Sequence, residues 1–323
     1  MKRFKVVAGW VSGLAAAVFL LMYGLYRYVF CFPPEKRPDV RSIPNSRLYR
    51  QHRTRMLEIV EKMEQGPYEE VSVLSQDGLR LYGKLYYIKK GAPIVIFCHG
   101  YHGTAAWDGY GFFRACMENG INILMTDQRA HGKSQGRVIT FGIMERYDCK
   151  TWSEYAMERF GTWTDVFLAG VSMGAASVIM SSELGLPRNV RGLMADCGYS
   201  RPAAIIMETV KSMGLPVKPV YLLLKYGARL FGSFNLEAAT GLEAAQKLNI
   251  PVLFFHGGQD TIVPLSMGKE LYQSCAGTRR WVTIENADHA NSAMTDYKTY
   301  ETAVLQFMEK CLEEKENQFS RTP

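Results

Sequence analysis

The 323-residue sequence predicts a transmembrane helix followed by an α/β domain with a mostly parallel central sheet. Three observations predict this architecture. Residues 6–26 contain no charged side chain. From residue 66 onward, short apolar runs alternate with longer amphipathic segments, as strands and helices do in α/β proteins. Hydrophobic residues make up 47% and charged residues 21% of the chain, a globular balance that excludes wholesale disorder, collagen and low-complexity scaffolds.

The uncharged run has the length of a membrane span. Its 21 residues, at about 1.5 Å each in a helix, extend about 31 Å, the thickness of a bilayer core. Basic residues flank it and aromatic residues lie near its ends. A cleaved signal peptide and a buried soluble helix are the alternatives, but the run exceeds a typical signal core and no small-x-small site follows it. We predict a retained anchor over residues 1–30.

Positive charge is concentrated at the front of the chain. The chain has 38 Lys and Arg and 31 Asp and Glu, a net charge of +7. Residues 1–55 hold 11 of the basic residues and only 2 of the acidic residues. Residues 56–323 hold 27 basic and 29 acidic groups, a net charge of −2. The main body therefore offers no support for a basic nucleic-acid-binding surface, and we expect no nucleic-acid partner.

The sequence gives conflicting indications of the side of the membrane on which the domain lies. A short N-terminal tail favours an extracytoplasmic domain, whereas the basic stretch at 36–55 suits the anionic inner leaflet. We favour the extracytoplasmic side and leave the other open. Residues 31–65 are predicted to form a solvated basic linker with a juxtamembrane helix.

Residues 66–316 are predicted to form the α/β domain. Segments 70–75 and 79–89 indicate an antiparallel hairpin around Gln76-Asp77-Gly78. Continuous apolar runs that suit strands covered on both faces follow at 93–98, 121–126, 166–169, 190–195, 251–255 and 281–284. Helices are predicted between and after them at 112–119, 146–160, 175–184, 265–274 and 293–314.

One interval breaks this alternation. More than 50 residues separate the strand predicted to end near Asp196 from the strand predicted to begin near Pro251. They contain two apolar helical segments, 202–213 and 218–231, and a structureless loop of that length is uncommon in a compact domain. We predict a helical cap at about 200–240. Ordinary packing helices with no contact to a site are the alternative.

The segment Gly170-Val171-Ser172-Met173-Gly174 matches the G-x-S-x-G pattern. A predicted strand precedes it and a predicted helix follows, which is the context of a nucleophile elbow. Gly170 and Gly174 are expected because a Cβ at either position would collide with the neighbouring chain. The alternative is a plain glycine-rich turn with a satisfied Ser172.

A serine nucleophile needs a base, and for this elbow the partners follow in the order serine, acid, histidine. Of the six histidines, only His256 and His289 come after Ser172. His289 lies in the loop after the last predicted strand, whereas His256 ends a strand and would need its acid earlier in the chain. We therefore predict His289 as the base.

Asp260 is the predicted acid because it follows the preceding strand, and the carboxyl ends of parallel strands meet at one edge of the sheet. Asp196, one strand earlier, is the rival. Asp288 adjoins His289 and cannot easily turn back onto its ring, so it is treated as a loop residue.

The oxyanion of an acyl-transfer intermediate needs main-chain N–H donors. Met173, directly after the nucleophile, supplies one. The loop after the third predicted strand supplies the other, at Tyr101, because Gly100 and Gly103 allow the chain to bend there. The His99 side chain is expected to order this loop.

Taken together, these motifs resemble those of the α/β-hydrolase superfamily, most closely its bacterial membrane-anchored branch, over about residues 65–315. That branch groups serine aminopeptidases, monoacylglycerol lipases and acyl esterases, so the resemblance implies the fold but no single substrate. The motifs are the loop 99–103, the stretch 127–134, the elbow 170–174, Asp260 and His289.

The resemblance also limits what is carried over. It implies that the stretch 127–134, Asp-Gln-Arg-Ala-His-Gly-Lys-Ser, is a structural turn, so Asp127, Arg129 and His131 are not assigned as catalytic. The sequence departs from the family where Asp288 replaces the glycine that often precedes the histidine. This changes the bend of the loop and leaves the base in place.

The predicted function is a serine hydrolase that cleaves an ester, thioester or amide bond of a small-molecule or lipid-like acyl substrate. The apolar cap suits an acyl chain, and His102, Tyr221 and Leu224 are candidate pocket residues. An aminopeptidase, an acyltransferase with the same triad, and a non-catalytic membrane-tethered binding protein are the alternatives. An aminopeptidase would need acidic groups for the substrate ammonium, and the segment 202–240 holds only two, Glu208 and Glu237.

We expect no cofactor and no metal site. The sequence has no nucleotide-binding fingerprint, and its seven cysteines are scattered singly, without ligand spacing or a disulfide framework. The oligomeric state is not predicted.

Overall fold

An eight-stranded sheet forms the centre of the domain in the computed structural model, which describes residues 2–43, 45 and 47–319. The strand order is β1-β2-β4-β3-β5-β6-β7-β8. The pairs β1–β2 and β2–β4 are antiparallel and the other pairs are parallel, as predicted from a hairpin followed by alternating strands and helices. The strands are β1 (Glu69–Leu74), β2 (Arg80–Tyr86), β3 (Ile94–Cys98), β4 (Asn122–Thr126), β5 (Val166–Val171), β6 (Val190–Asp196), β7 (Val252–Gly257) and β8 (Arg279–Ile284).

Thirteen helices accompany the sheet in the described residues. They are α1 (Lys2–Phe30), α2 (Arg47–Arg50), α3 (Arg53–Gln65), α4 (Ala105–Asp108), α5 (Tyr110–Glu118), α6 (Glu145–Phe160), α7 (Met173–Ser181), α8 (Pro202–Ser212), α9 (Val217–Gly232), α10 (Gly241–Lys247), α11 (Leu265–Ser274), α12 (Ser292–Thr295) and α13 (Tyr297–Phe319).

Both faces of the sheet are covered, because successive side chains of a strand point to opposite sides. Val95 and Phe97 of β3 pack with α3, α5 and α13, while Ile94 and Ile96 pack with α6, α7, α10 and α11. The sheet is therefore the middle of three layers, and its C-terminal edge carries the loops that follow β3, β5, β7 and β8.

One predicted helix is divided in two. The segment 293–314 was predicted as a single helix, but α12 ends at Thr295 and α13 begins at Tyr297. Asp296 lies between them, and its carboxylate accepts hydrogen bonds from the Thr299 N–H at 3.1 Å and the Thr299 hydroxyl at 2.7 Å. A short acidic side chain that bonds to nearby main-chain groups favours a helix start over a helix interior.

The predicted cap is present as α8 and α9, which lie between β6 and β7 along the chain. Buried residues of both helices form a third apolar cluster with the C-terminal end of α1. In the described part of the chain, α1 is the one helix long and apolar enough to cross a membrane, over Ser12–Phe30.

The segment after α1 packs on the domain, where the sequence predicts a solvated linker. The main chain of Phe30 and Phe32 pairs with residues 137–139. The Arg37 guanidinium donates three hydrogen bonds of 2.7 to 2.8 Å to main-chain carbonyls within 132–136. These acceptors could not be predicted from the sequence, because every residue carries a main-chain carbonyl.

Candidate active site

Ser172 lies at the turn between β5 and α7 with a strained backbone. Its φ is 55° and its ψ is −115°, a region that residues with a Cβ rarely adopt. A Cβ on Gly170 would overlap the main chain of Gly174, and a Cβ on Gly174 would overlap the carbonyl oxygen of Cys98. Glycine is therefore required at both positions, and the tight turn presents the Ser172 side chain at the C-terminal edge of the sheet.

His289, in the loop between β8 and α12, contacts Ser172 and Asp260. Its Nε2 lies 2.9 Å from the Ser172 Oγ, and its Nδ1 lies 2.8 Å from Oδ2 of Asp260. The other carboxylate oxygen of Asp260 accepts hydrogen bonds from the N–H groups of Ile262 and Val263 at 2.9 and 2.8 Å. The carboxylate thus orients His289 so that Nδ1 donates to Asp260 and Nε2 can accept the Ser172 proton.

The rival acid and base lie beside these residues but have hydrogen-bond partners of their own. Oδ1 of Asp196 accepts a hydrogen bond from the Ser292 hydroxyl at 3.0 Å. The buried His256 ring has its Nε2 2.9 Å from the carbonyl oxygen of Val263. Nε2 of His256 also lies 3.4 Å from Oδ2 of Asp260, but its hydrogen bond goes to Val263. The structure therefore joins Ser172, His289 and Asp260 by hydrogen bonds, as the sequence predicts.

Asp288 links the loop that carries His289 to the loop that carries Asp260. Its Oδ1 accepts hydrogen bonds from the Thr261 N–H at 2.9 Å, the Thr261 hydroxyl at 2.8 Å and the His289 N–H at 2.8 Å. The residue that departs from the family pattern thus ties the histidine loop to the loop that carries Asp260.

The loop after β3 lies against the nucleophile and is held by Asp108. Oδ2 of Asp108 accepts a hydrogen bond from the Gly100 N–H at 2.7 Å. A Cβ on Gly100 would lie 3.3 Å from the Cβ of Ser172, and a Cβ on Gly103 would overlap the Asp108 carboxylate. Burial raises the pKa of Asp108 to about 6, while the Gly100 hydrogen bond lowers it. Sequence reasoning missed Asp108, which belongs to no motif.

Two main-chain N–H groups are available to bind an oxyanion. Within the described residues, neither the Tyr101 N–H nor the Met173 N–H donates a hydrogen bond to another group. Met173 is the first residue of α7, where helical N–H groups have no acceptor within the helix. Both positions are those that the sequence predicts for the oxyanion hole.

Two buried histidines order the loop 99–103, which carries the proposed donor Tyr101 and is called the oxyanion loop below. His99 has its Nδ1 2.8 Å from the Gly100 carbonyl oxygen, and its Nε2 accepts a hydrogen bond from the Gln128 N–H at 3.1 Å. The Nε2 of His131 accepts from the His102 N–H at 3.2 Å. Burial lowers the pKa of His99 to about 4, so this ring is neutral near pH 7 and acts as a fixed hydrogen-bond partner.

The turn at 127–134 is held by its own ionic contacts. Arg129 donates to both carboxylate oxygens of Asp148 at 2.6 and 2.7 Å, and to Asp77 at 2.9 and 3.1 Å. The Lys133 N–H donates to Asp127 at 2.9 Å. These contacts agree with the structural role that the family resemblance implies.

The end of α1 contacts the oxyanion loop. The Tyr101 hydroxyl donates a 2.8 Å hydrogen bond to the carbonyl oxygen of Val29. The His102 ring is stacked between Phe32 and Tyr101, at centroid distances of 4.1 and 3.8 Å, with its Nε2 buried. The structure thus places His102 between two aromatic rings, and the predicted role of His102 at an entrance stays a prediction.

The other two candidate pocket residues lie in the cap. Tyr221 and Leu224 of α9 are buried in the cluster that also contains Met173, and the Tyr221 hydroxyl donates to Glu237 at 2.8 Å. Whether they touch substrate stays a prediction.

Replacing Tyr101 with phenylalanine is expected to lower kcat roughly fivefold with KM unchanged. A hydrogen bond contributes about 1 kcal/mol, which corresponds to about that factor if it holds the oxyanion donor in place. Steady-state kinetics with a p-nitrophenyl ester measure the effect. Tyr28→Phe is the matched control, because the Tyr28 side chain at the end of α1 is 71% exposed. An equal loss in both variants would contradict a role of the Val29 contact.

Three carboxylates set the protonation of His289. Burial lowers the pKa of the ring, but attraction to Asp260, a hydrogen bond with it, and the charges of Asp108 and Asp196 raise the pKa above the usual 6.5 overall. The protonated ring cannot accept the Ser172 proton. We therefore expect kcat/KM to fall on acidification with a midpoint above pH 6.5, measured with an uncharged ester. Circular dichroism across the same range controls for unfolding, and a midpoint below 6.5 would contradict the assignment.

Ligand atoms of Cys197, Asp260 and His289 lie within 4.8 Å of one another, the one grouping of metal-ligand type in the described residues. Asp260 and His289 are bonded to each other there. Burial raises the pKa of the Cys197 thiol, which keeps it protonated and a poor metal ligand. The chemistry of the group therefore favours a hydrogen-bonded acid–base pair.

Known proteins that are similar to this chain include hydrolases. A family model described as serine aminopeptidase, S33, matches residues 89–230, which include the oxyanion loop and the elbow. The uncharacterized protein YqkD of Bacillus subtilis is 24% identical over 67% of this chain and 70% of its own length. Lysophosphatidylserine lipase ABHD12 of Danio rerio is 25% identical over 58% of this chain and 48% of its own length.

A solved structure shares the fold. The Pyrococcus furiosus esterase Pf2001 superposes with a TM-score of 0.60 at 22% identity, covering 76% of this chain and 92% of its own. The shared architecture is that of the α/β-hydrolase fold, and assignment to a membrane-anchored branch of that superfamily stays a prediction.

Proposed function

We propose that this chain is a serine hydrolase of the α/β-hydrolase superfamily that cleaves ester bonds through an acyl-enzyme. One observation carries the proposal: Ser172, His289 and Asp260 form a continuous hydrogen-bonded chain with distances of 2.9 and 2.8 Å. These residues come from three separate loops, and their order and contacts are those of a catalytic triad.

The proposed reaction has two halves. The Ser172 Oγ attacks the carbonyl carbon and passes its proton to Nε2 of His289, while Asp260 stabilises the imidazolium. The C–O bond to the leaving alcohol then breaks, and the alcohol takes the proton from His289. In the second half, water repeats the attack on the acyl-enzyme with His289 as base, and the acid product leaves Ser172 free.

The N–H groups of Tyr101 and Met173 are the proposed oxyanion donors. Charge develops on the carbonyl oxygen in each half of the reaction, and one such donor contributes about 10²- to 10³-fold in kcat. Asp108 and His99 are the proposed positioning residues, because they bond to the main chain of Gly100 beside the donor.

Lipophilic acyl esters are the proposed substrates. The cap is apolar, and among the relatives compared here one is named a lipase and one an esterase. The aminopeptidase alternative has less support, because both cap carboxylates are engaged. Glu208 pairs with Lys211 at 3.1 Å, and Glu237 bonds to Tyr221 and Lys225 at 2.8 and 2.5 Å.

A series of p-nitrophenyl esters from acetate to dodecanoate, run beside leucine p-nitroanilide, tests the proposal. We expect kcat/KM to rise with acyl length and to exceed that of the anilide. Preference for the anilide would identify an aminopeptidase. Transfer of the acyl group to an added alcohol would identify an acyltransferase. The absence of turnover by folded protein would favour a binding protein.

We also propose that α1 is a retained membrane anchor and that the domain works at the membrane surface, with the extracytoplasmic side favoured. The span Ser12–Phe30 supports the anchor, and the packing of its last turns on the domain supports retention. Protease added outside intact cells, followed by detection of the domain, tests the side.

A further inference from the structure

The cap helix α9 carries an exposed apolar face. Leu222, Tyr226 and Leu230 are 48%, 54% and 59% exposed. Residues four apart share one side of a helix, so the three side chains form a continuous stripe. Met213 and Leu215, in the turn before α9, extend the exposed apolar surface. A patch of this kind marks an interaction site for another apolar phase.

Beside this stripe, α9 packs directly on the anchor helix. A Cβ on Gly227 would lie 3.2 Å from the Cβ of Tyr26, so the two helices approach closely there. The Phe231 ring makes edge contacts with Phe19 and Tyr23 at centroid distances of 5.3 and 5.1 Å. The position of α9 relative to a membrane is therefore set by the position of α1.

The length of α1 decides how deep α9 lies. The uncharged run is 6–26, and its side chains are exposed from Ser12 to Leu21. Apart from the contact of the Phe19 ring with Phe231, packing on the cap begins at Met22. Residues 6–21 extend only about 24 Å, whereas a bilayer core is about 30 Å thick. The run reaches across the core only if residues 22–26, and the part of α9 in contact with them, also enter it.

Basic residues border the apolar stripe on the side away from α1. On a helical projection with 100° per residue, three basic residues lie beside Leu222, on the side away from Tyr226 and Leu230. They are Arg229, Lys218 and Lys225. Lys225 is paired with Glu237, and no acidic partner of Lys218 is found in the described residues. An apolar stripe bordered by lysine and arginine is the pattern of a helix that lies in an anionic membrane interface.

We propose that α9 lies in the interface of an anionic phospholipid bilayer beside α1, with Leu222, Tyr226 and Leu230 among the acyl chains. This rests on the proposed anchor. The oxyanion loop would then lie at the membrane surface, because Tyr101 bonds to Val29, three residues beyond Tyr26. If the proposed function holds, an acyl lipid reaches Ser172 without crossing bulk water.

Depth measurements on the full chain test this without using activity. Leu222→Cys and Tyr226→Cys, each labelled with the fluorophore NBD, are reconstituted in phosphatidylcholine–phosphatidylglycerol vesicles with and without doxyl-labelled lipid. Trp163→Cys is the matched control, since Trp163 is 78% exposed in the turn before β5, at the opposite edge of the sheet. The unsubstituted chain gives the labelling background of the seven native cysteines.

We expect doxyl lipid to quench the two α9 labels at least threefold more than the control, and aqueous iodide to quench the control more. Quenching of the α9 labels by iodide to the level of the control, without doxyl quenching, would overturn the proposal. Quenching does not depend on catalysis, so the experiment can refute the membrane position of α9 without refuting the proposed function.

Substrate presentation gives a second test. Leu222→Glu is expected to raise KM for a vesicle-embedded long-chain ester at least tenfold, and to change kcat for soluble p-nitrophenyl acetate less than twofold. Trp163→Glu is the control and should change neither. An unchanged KM for the embedded ester in Leu222→Glu would count against the docking of α9.

Discussion

Ser172→Ala is expected to lower kcat for p-nitrophenyl esters by roughly four to six orders of magnitude, because the acyl-enzyme cannot form without the Oγ. The residual rate would come from the oxyanion donors and from substrate binding. Steady-state assays with p-nitrophenyl esters measure the ratio of kcat between the variant and the unchanged chain. Circular dichroism should be unchanged, since the methyl group of alanine fits where the strained serine side chain lies.

Ser182→Ala is the matched control for this variant. Ser182 directly follows α7, and its hydroxyl bonds only locally, to the Ile179 carbonyl at 2.8 Å. We expect less than a twofold change in kcat. Hydrolysis by the Ser172 variant at the rate of the unchanged chain would show that another residue is the nucleophile.

Asp260→Asn is expected to lower kcat about 10³- to 10⁴-fold. An amide in place of the carboxylate neither fixes the His289 tautomer nor stabilises the imidazolium. Removing the negative charge also removes the main attraction that opposes burial, so the pKa of His289 should fall. The remaining activity should therefore show its acidic midpoint at lower pH than the unchanged chain.

Asp196→Asn is the matched comparison, because Asp196 is the rival acid and lies within the same edge of the sheet. Its Oδ1 accepts the Ser292 hydroxyl, and an asparagine oxygen can still accept that bond. Burial raises the pKa of Asp196 to about 7, so the carboxyl is only partly ionised near neutrality and the substitution removes only part of a charge. We expect at most a tenfold change in kcat. A larger loss here than in Asp260→Asn would reverse the choice of acid.

Much of the fold could be predicted from the sequence because parallel strands covered on both faces are continuous apolar runs. Each predicted strand overlaps an observed one, and the antiparallel start follows from the hairpin around Gln76-Asp77-Gly78. The interruption at Asp296 was not predicted, because apolar periodicity continues through it and only a local side-chain contact divides the helix.

Three residues of the candidate site could be predicted from the sequence, because a motif, the order along the chain and the position after a strand all pointed to them. Ser172, Asp260 and His289 lie on loops that meet at one edge of the sheet, which is a consequence of topology. Asp108 could not be found in this way. Its role follows from a main-chain contact with Gly100, and an isolated aspartate carries no such information in the sequence.

The link between the anchor and the site also required the structure. The Tyr101 hydroxyl and the Val29 carbonyl are 72 residues apart in the chain, and the acceptor is a main-chain group. The sequence treats the anchor and the catalytic domain as separate units. In the folded chain, Val29 and Phe32 contact the loop 99–103, and Arg37 bonds to main-chain carbonyls within 132–136.

Covalent labelling tests the proposed chemistry most directly. The full chain in detergent is treated with a fluorophosphonate, digested, and the modified residue is located by mass spectrometry, with the Ser172→Ala chain as control. We predict a single phosphonylated serine at Ser172 and no labelling of the variant. Labelling at another residue, or none on folded protein that binds esters, would contradict a Ser172-based acyl-enzyme.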